Sequence, residues 1–213
     1  MVMAHTTALG ALSVLIGAVA YAIYITKTLR ESGVQPHPFS WLLWFLVTLV
    51  AFLVQRGQGG EAGSWVTGFT AIVCLIISLL TFLKNEWDFS WFDWFCIVAG
   101  ILVVGVYFAG LYVPGFHLAG FYFAIGNPAW SAVAATAADV IGYGPTITKG
   151  WTDPNKDSVT SFGLNGLKFF VAYFALGSYS LATWLYPITI CVLNSSVAAM
   201  LLLRREFAVT KAT

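Results

Sequence analysis

Charge is scarce in this chain. Asp, Glu, Lys and Arg make up 9 % of its 213 residues, against about 25 % in an ordinary soluble domain. The formal net charge is only +1, which leaves no electrostatic footprint for a nucleic acid. Histidine is limited to His5, His37 and His117, without ligand spacing, so no metal site is expected. The cysteines Cys74, Cys96 and Cys191 each lie within an apolar run and read as small buried residues, not as a disulfide framework. No nucleophile–base pair and no Gly-rich phosphate loop is present, so neither catalytic residues nor a cofactor is expected and an enzyme is disfavoured. The first residues lack the basic stretch of a cleaved signal peptide and run straight into a long apolar span, which reads as a retained helix.

What the chain has in excess is apolar residues, at 59 %. A soluble fold of this length cannot hide that much apolar surface, so the solvent is expected to be a lipid bilayer. Each helical crossing needs roughly 17–25 residues. Seven segments qualify: 8–29, 39–55, 64–83, 91–112, 128–148, 161–177 and 181–203. The tract Val113–Asn127 is apolar but interrupted by Pro114, Gly115, Gly120 and Gly126, and is read as an interfacial or re-entrant turn. An outside N-terminus puts Lys27, Arg30, Lys84, Lys149, Lys156, Arg204, Arg205 and Lys211 on the inner side and leaves Arg56 outside, as the positive-inside rule requires. The expected location is an inner membrane of bacterial type, with the C-terminus cytoplasmic.

The two ends of the chain repeat one another. Tyr21, Ile25, Thr26 and Lys27 match Tyr143, Ile147, Thr148 and Lys149; Ser40 and Trp41 then match Ser161 and Phe162, and Cys74 matches Asn194. Such a period implies a duplicated unit. Three domains follow: a first three-helix repeat at 1–86, a linker helix with its outer turn at 87–127, and a second repeat at 128–213. Because the linker reverses direction, the repeats are parallel, related by an axis along the membrane normal. The expected fold class is an all-α polytopic membrane protein of seven transmembrane helices, two parallel three-helix bundles joined by one helix.

The three-one-three order, the Pro145-Thr146 turn before Lys149, the Asp157-Ser158 entry and the Phe162-Gly163-Leu164-Asn165 run resemble the SWEET, SemiSWEET and PQ-loop superfamily. Thr146 stands where that family has glutamine, and the first half has Ile23-Tyr24 with no proline, so the resemblance names no substrate. It implies a transporter that moves a small polar solute by alternating access. In SWEET-like carriers an asparagine and a tryptophan on the third helix of each unit line the pocket, which here implies Asn194 and Trp184.

From the residues themselves, Asp139 and Lys168 each fall within an apolar segment, where a charge costs about 2.5–3.5 kcal/mol on insertion scales. The simplest expectation is an ion pair between them, either fixing helix register or binding a charged substrate group. The aligned positions hold Gly17 and Val47, so this chemistry would belong to one half only. Asn165 needs a partner at depth, whether another helix or a solute. Pro145 and Pro187 are candidate hinges, or static bends. Trp41 and Trp44, one turn apart, are candidate gate or belt residues. Trp87, Trp91, Trp94, Trp130 and Trp151 read as an interfacial belt, and Tyr21 and Tyr143 as snorkelling tyrosines. The competing reading is a non-transporting accessory subunit of a larger membrane complex; homo-oligomerisation is left open.

Overall fold

The computed structural model describes the backbone of residues 2–30, 36–84, 91–112, 116–118, 121–123 and 127–210, with side chains described within 4–30, 36–83, 91–108 and 127–207. Apart from a short antiparallel hairpin, Phe116–Leu118 with Phe121–Phe123 (β1 and β2), the described secondary structure is helical. The helices are α1 (Val2–Arg30), α2 (Pro38–Gly57), α3 (Trp65–Lys84), α4 (Trp91–Tyr112), α5 (Pro128–Gly142), α6 (Gly144–Thr152), α7 (Val159–Tyr173) and α8 (Leu181–Thr210). The hairpin lies in the tract read as an interfacial or re-entrant turn; apart from Asn127, which caps α5, the remainder of that tract lies outside the described residues.

Five stretches are long and apolar enough to cross a membrane: Ala4–Arg30, Pro38–Gly57, Glu61–Leu83, Trp91–Phe108 and Leu181–Phe207. The side chains are sorted inside out. Leu15, Ile72, Leu83, Ile101 and Leu203 are exposed, whereas Ser13, Thr48, Gln55, Ser64, Lys168 and Thr183 are buried. In water this sorting would be heavily penalised; in hydrocarbon it is required, because the polar groups must find partners within the protein. The chain is an integral membrane protein.

The span expected at 128–148 is divided in two. Pro145 has no N–H to give, so the turn before it is loosened, and the Tyr143 N–H bonds the Val140 carbonyl rather than continuing the regular ladder. α5 therefore stops at Gly142 and α6 begins at Gly144. α5 buries Ala132, Ala135 and Ala138, whose small side chains let α2 and α8 approach closely. The starts of α2 and α7 are capped at aligned positions. His37 Nδ1 accepts from the Ser40 N–H at 3.4 Å, and Ser158 Oγ accepts from the Ser161 N–H at 3.3 Å.

Packing follows a consistent order. α3 contacts both α1 and α2, and α8 contacts both α5 and α7. Between these triplets α1 lies on α7 and α2 on α5, while α4 leans mainly on α2. At the end of the molecule that carries the α2–α3 and α7–α8 connections, the Gly63 N–H bonds the Ala175 carbonyl at 2.9 Å. Glu61 packs there against Gly177, where even a methyl group would come 2.6 Å from the Glu61 Cδ. At the opposite end, Arg205 donates to the carbonyls of Pro154 and Asp157, and Arg204 to that of Trp151, tying α8 to the α6–α7 connection.

Candidate functional site

A cavity of about 470 Å³, counting the solvent-open space at its mouth, lies among α1, α2, α3, α5, α7 and α8. One wall is aromatic. Tyr24 and Trp41 have ring centroids 5.1 Å apart, Trp41 and Trp44 meet edge to face at 5.0 Å, and Trp44 and Tyr143 lie 4.9 Å apart. The column thus runs from α1 across α2 to the α5–α6 break. Its fit depends on Gly142, where a Cβ would come 2.6 Å from the Trp44 indole nitrogen. That indole N–H points at the Asp139 carbonyl, 3.4 Å away, a carbonyl left over by the loosened turn.

The other lining residues carry the polar groups. The Tyr186 hydroxyl donates to Asp139 Oδ2 at 2.7 Å and is itself 2.8 Å from Thr48 Oγ1, so a three-residue chain runs from α5 through α8 to α2. Asn194 Nδ2 donates to the Tyr143 hydroxyl at 2.9 Å and to the Ile190 carbonyl at 2.8 Å. Asn165 Nδ2 donates to the Ser161 carbonyl at 2.9 Å, while its Oδ1 is buried without a hydrogen-bond partner.

The expected ion pair is not made. Lys168 is fully buried, but its ammonium donates to Thr70 Oγ1 at 2.9 Å and sits 4.1 Å above the Tyr21 ring. Thr70 accepts freely because its own hydroxyl hydrogen goes to the Val66 carbonyl. The lysine stem passes Gly17, the aligned partner of Asp139, where a Cβ would lie 3.1 Å from Lys168 Cδ. Each buried charge is therefore met by hydroxyls and rings instead of by the other, and Lys168 is not part of the cavity lining. Among the described residues the ion pairs are His37–Asp93, at 3.2 Å, and Lys156–Asp153, at 3.3 Å.

Of the remaining sequence candidates, Asn165, Asn194, Trp41, Trp44 and Asp139 all line the cavity. Trp184 does not: it is half-buried, and Tyr186, two residues on, takes the lining position. Residues two apart on an α-helix point to nearly opposite faces, which is why the correction is complete and not a small shift. Pro145 starts α6 and is outside the lining. Pro187 sits inside α8, where it leaves the Thr183 carbonyl without its helical partner; Gln55 Nε2 reaches across from α2 to fill that place at 3.1 Å. Tyr21 and Tyr143, read as snorkelling residues, are instead 6 % exposed and face the cavity. Their place as the leading pair of the repeat was the available signal. The belt reading fits the exposed Trp91, Trp94, Trp130 and Trp151, while Trp87 lies outside the described residues. Cys74 and Cys96 are buried and free, as expected; Cys191 is free but only half-buried.

Titratable groups also gather at the capped, basic end. Burial pushes the Asp157 carboxyl up to about 6, against the opposing pull of Lys149, the Ser158 backbone and Arg205. Burial likewise lowers His37, opposed by Asp93, and lowers Lys149, opposed by Asp157. Among the described residues no cluster of His, Cys, Asp or Glu could hold a metal ion. The arrangement can hold a small molecule by ring faces and hydrogen bonds. No protein-family model, curated protein or solved structure matches the chain.

Proposed function

We propose that the protein is a membrane carrier that moves a small polar solute by alternating access, α1–α3 rocking against α5–α8 with α4 as the linker. The observation that carries this reading is the lining of the cavity. Continuing the register of the sequence repeat, Tyr21 pairs with Tyr143, Trp41 with Phe162, Trp44 with Asn165, Thr48 with Phe169, Thr70 with Ile190 and Cys74 with Asn194. Both members of every pair face the same cavity. A cavity on the axis between two duplicated bundles is what a carrier built from parallel repeats requires. Exchanging the triplets also exchanges the α1–α7 contact with α5–α2, as such an axis demands. The positive-inside rule then puts the end bearing Lys149, Arg204 and Arg205 in the cytoplasm, with the N-terminus outside, in an inner membrane of bacterial type.

The outer end is the closed gate in this conformation, held by the Gly63–Ala175, Gln55–Thr183 and Thr48–Tyr186 hydrogen bonds between triplets. The test is flux into proteoliposomes over a panel of sugars, amino acids, vitamins and amines, with and without a lock on this gate. A Cβ on Gly59 would stand 3.2 Å from Ser178 Cβ, just under the roughly 3.5–4.5 Å span of a disulfide, so Gly59→Cys with Ser178→Cys gives the lock; because Gly59 has a left-handed φ of +79°, which a cysteine takes with strain, flux of the reduced double variant is the reference. Oxidation is expected to stop flux and reduction to restore it. Absence of flux for the whole panel, together with a stoichiometric co-purifying membrane protein, overturns the carrier in favour of an accessory subunit.

A further inference from the structure

We propose that the cavity takes a small organic cation bearing N–H donors, of the ammonium or amidinium kind. This rests on the carrier reading of the same cavity and names its cargo. The argument is an inventory of which hydrogen-bonding capacity the walls have spent and which they have left. Many of the donors are spent. Asn165 Nδ2 and Asn194 Nδ2 each face a backbone carbonyl, that of Ser161 and that of Ile190, which can only accept. This fixes the orientation of both amides and turns their Oδ1 atoms to other partners. The Trp44 indole N–H goes to the Asp139 carbonyl, and the Tyr186 hydroxyl to Asp139 Oδ2. The hydroxyls of Thr70 and Ser161 give their hydrogens to Val66 O and to Ser158 Oγ.

The acceptors are left. Asn165 is 8 % exposed, lines the cavity, and its Oδ1 has no partner. Among the described residues the second oxygen of Asp139 also has none. Beside them stand the faces of Tyr24, Trp41 and Trp44, which attract cations through their ring quadrupoles. The Lys168 ammonium, which would favour an anion, donates to Thr70 over the Tyr21 ring and is not part of the lining. A neutral polyol could use the remaining amide and tyrosine hydrogens, but it would leave the Asp139 carboxylate without a counter-charge. An anion would meet unpaired oxygens.

Three planar molecules of nearly the same shape separate these cases: benzamidinium, benzamide and benzoate. Binding to the purified full-length chain is read by tryptophan fluorescence and by thermal shift. Benzamidinium is expected to bind at least about tenfold more tightly than benzamide, the range a desolvated cation–ring contact supplies, and benzoate not to bind. Asn165→Leu is expected to weaken benzamidinium about tenfold, whereas Asn165→Asp, which keeps an acceptor there, retains or tightens it. Trp184→Phe, outside the cavity, leaves it unchanged. Equal or tighter binding of benzamide or benzoate, binding of none of the three, or indifference to Asn165→Leu overturns the proposal. Benzamidinium binding without flux of any amine sinks the carrier reading and leaves the cavity's preference standing. Flux of a neutral or anionic solute without benzamidinium binding does the reverse.

Discussion

Replacing Gln55 by leucine tests whether Pro187 is tolerated in α8 because α2 supplies the missing donor. Proline at 187 leaves the Thr183 carbonyl unpaired within its own helix, and Gln55 Nε2 fills the gap at 3.1 Å, with both residues fully buried. An abandoned buried acceptor costs about 1–3 kcal/mol. Gln55→Leu alone does not isolate that cost, because Gln55 Oε1 is itself buried without a partner, and removing it gives back a contribution of the same order. A double-mutant cycle separates the two. In a Pro187→Ala background the new alanine N–H can serve the Thr183 carbonyl directly, so Gln55→Leu no longer strands it, while the Oε1 contribution is the same in both backgrounds and cancels. The expected coupling is about 1–3 kcal/mol, with Gln55→Leu less damaging in the Pro187→Ala background. The assay is reversible unfolding of the four proteins in mixed micelles. A coupling indistinguishable from zero would refute the reasoning, whatever the single variants do.

Other consequences are simpler to read. Tyr186→Phe removes the donor to Asp139 and the partner of Thr48, and is expected to cost about 1–3 kcal/mol; Thr48→Val in the same background should then add little, which unfolding in micelles checks. Asp157 has its folded pKa raised from 3.8 to about 6, so the folded state binds the extra proton and stability falls as pH rises between those values. Asp157→Asn should therefore leave the melting temperature unchanged below pH 4 and raise it at pH 7, by at most about 3 kcal/mol in stability; equal effects at both pH values would contradict the assignment. Gly142→Ala drives a methyl group into the Trp44 indole, and a shifted tryptophan emission together with lower stability is the expected readout. Lys168→Met should keep the packing of the stem past Gly17 but free Thr70 and the Tyr21 ring, tightening cation binding in a titration of the purified variant.

Five of the seven expected segments were legible as membrane-length helices, because an apolar run of that length is rarely anything but a buried or lipid-facing helix; the other two, 128–148 and 161–177, are helical but hold no stretch of that length. Segment 128–148 was legible as apolar but not as broken, since Pro145 announces a bend without saying which turn yields. Asp139 and Lys168 stood out by their cost in lipid, and both are buried. Their partners were not legible, because a hydroxyl on a distant helix can take the hydrogen bond of a buried charged group, and hydroxyls are common. Gln55 shows the limit most plainly: its partner is 128 residues away and is a backbone carbonyl, which no side-chain pattern announces. Tyr21 and Tyr143 were assigned by a compositional rule about membrane interfaces when their matched positions in the repeat pointed inward.

The separation of Asp139 from Lys168 leaves the molecule with a built-in field. With both side chains ionised, a negative pole stands where α5 meets α8 and a positive one where α7 meets α1 and α3, uncancelled by direct contact. A molecule with a charged head and a neutral tail would be turned by that field before it touched any wall. On the carrier reading proposed above, Asp139 and Lys168, whose aligned positions hold Gly17 and Val47, would give the passage a polarity.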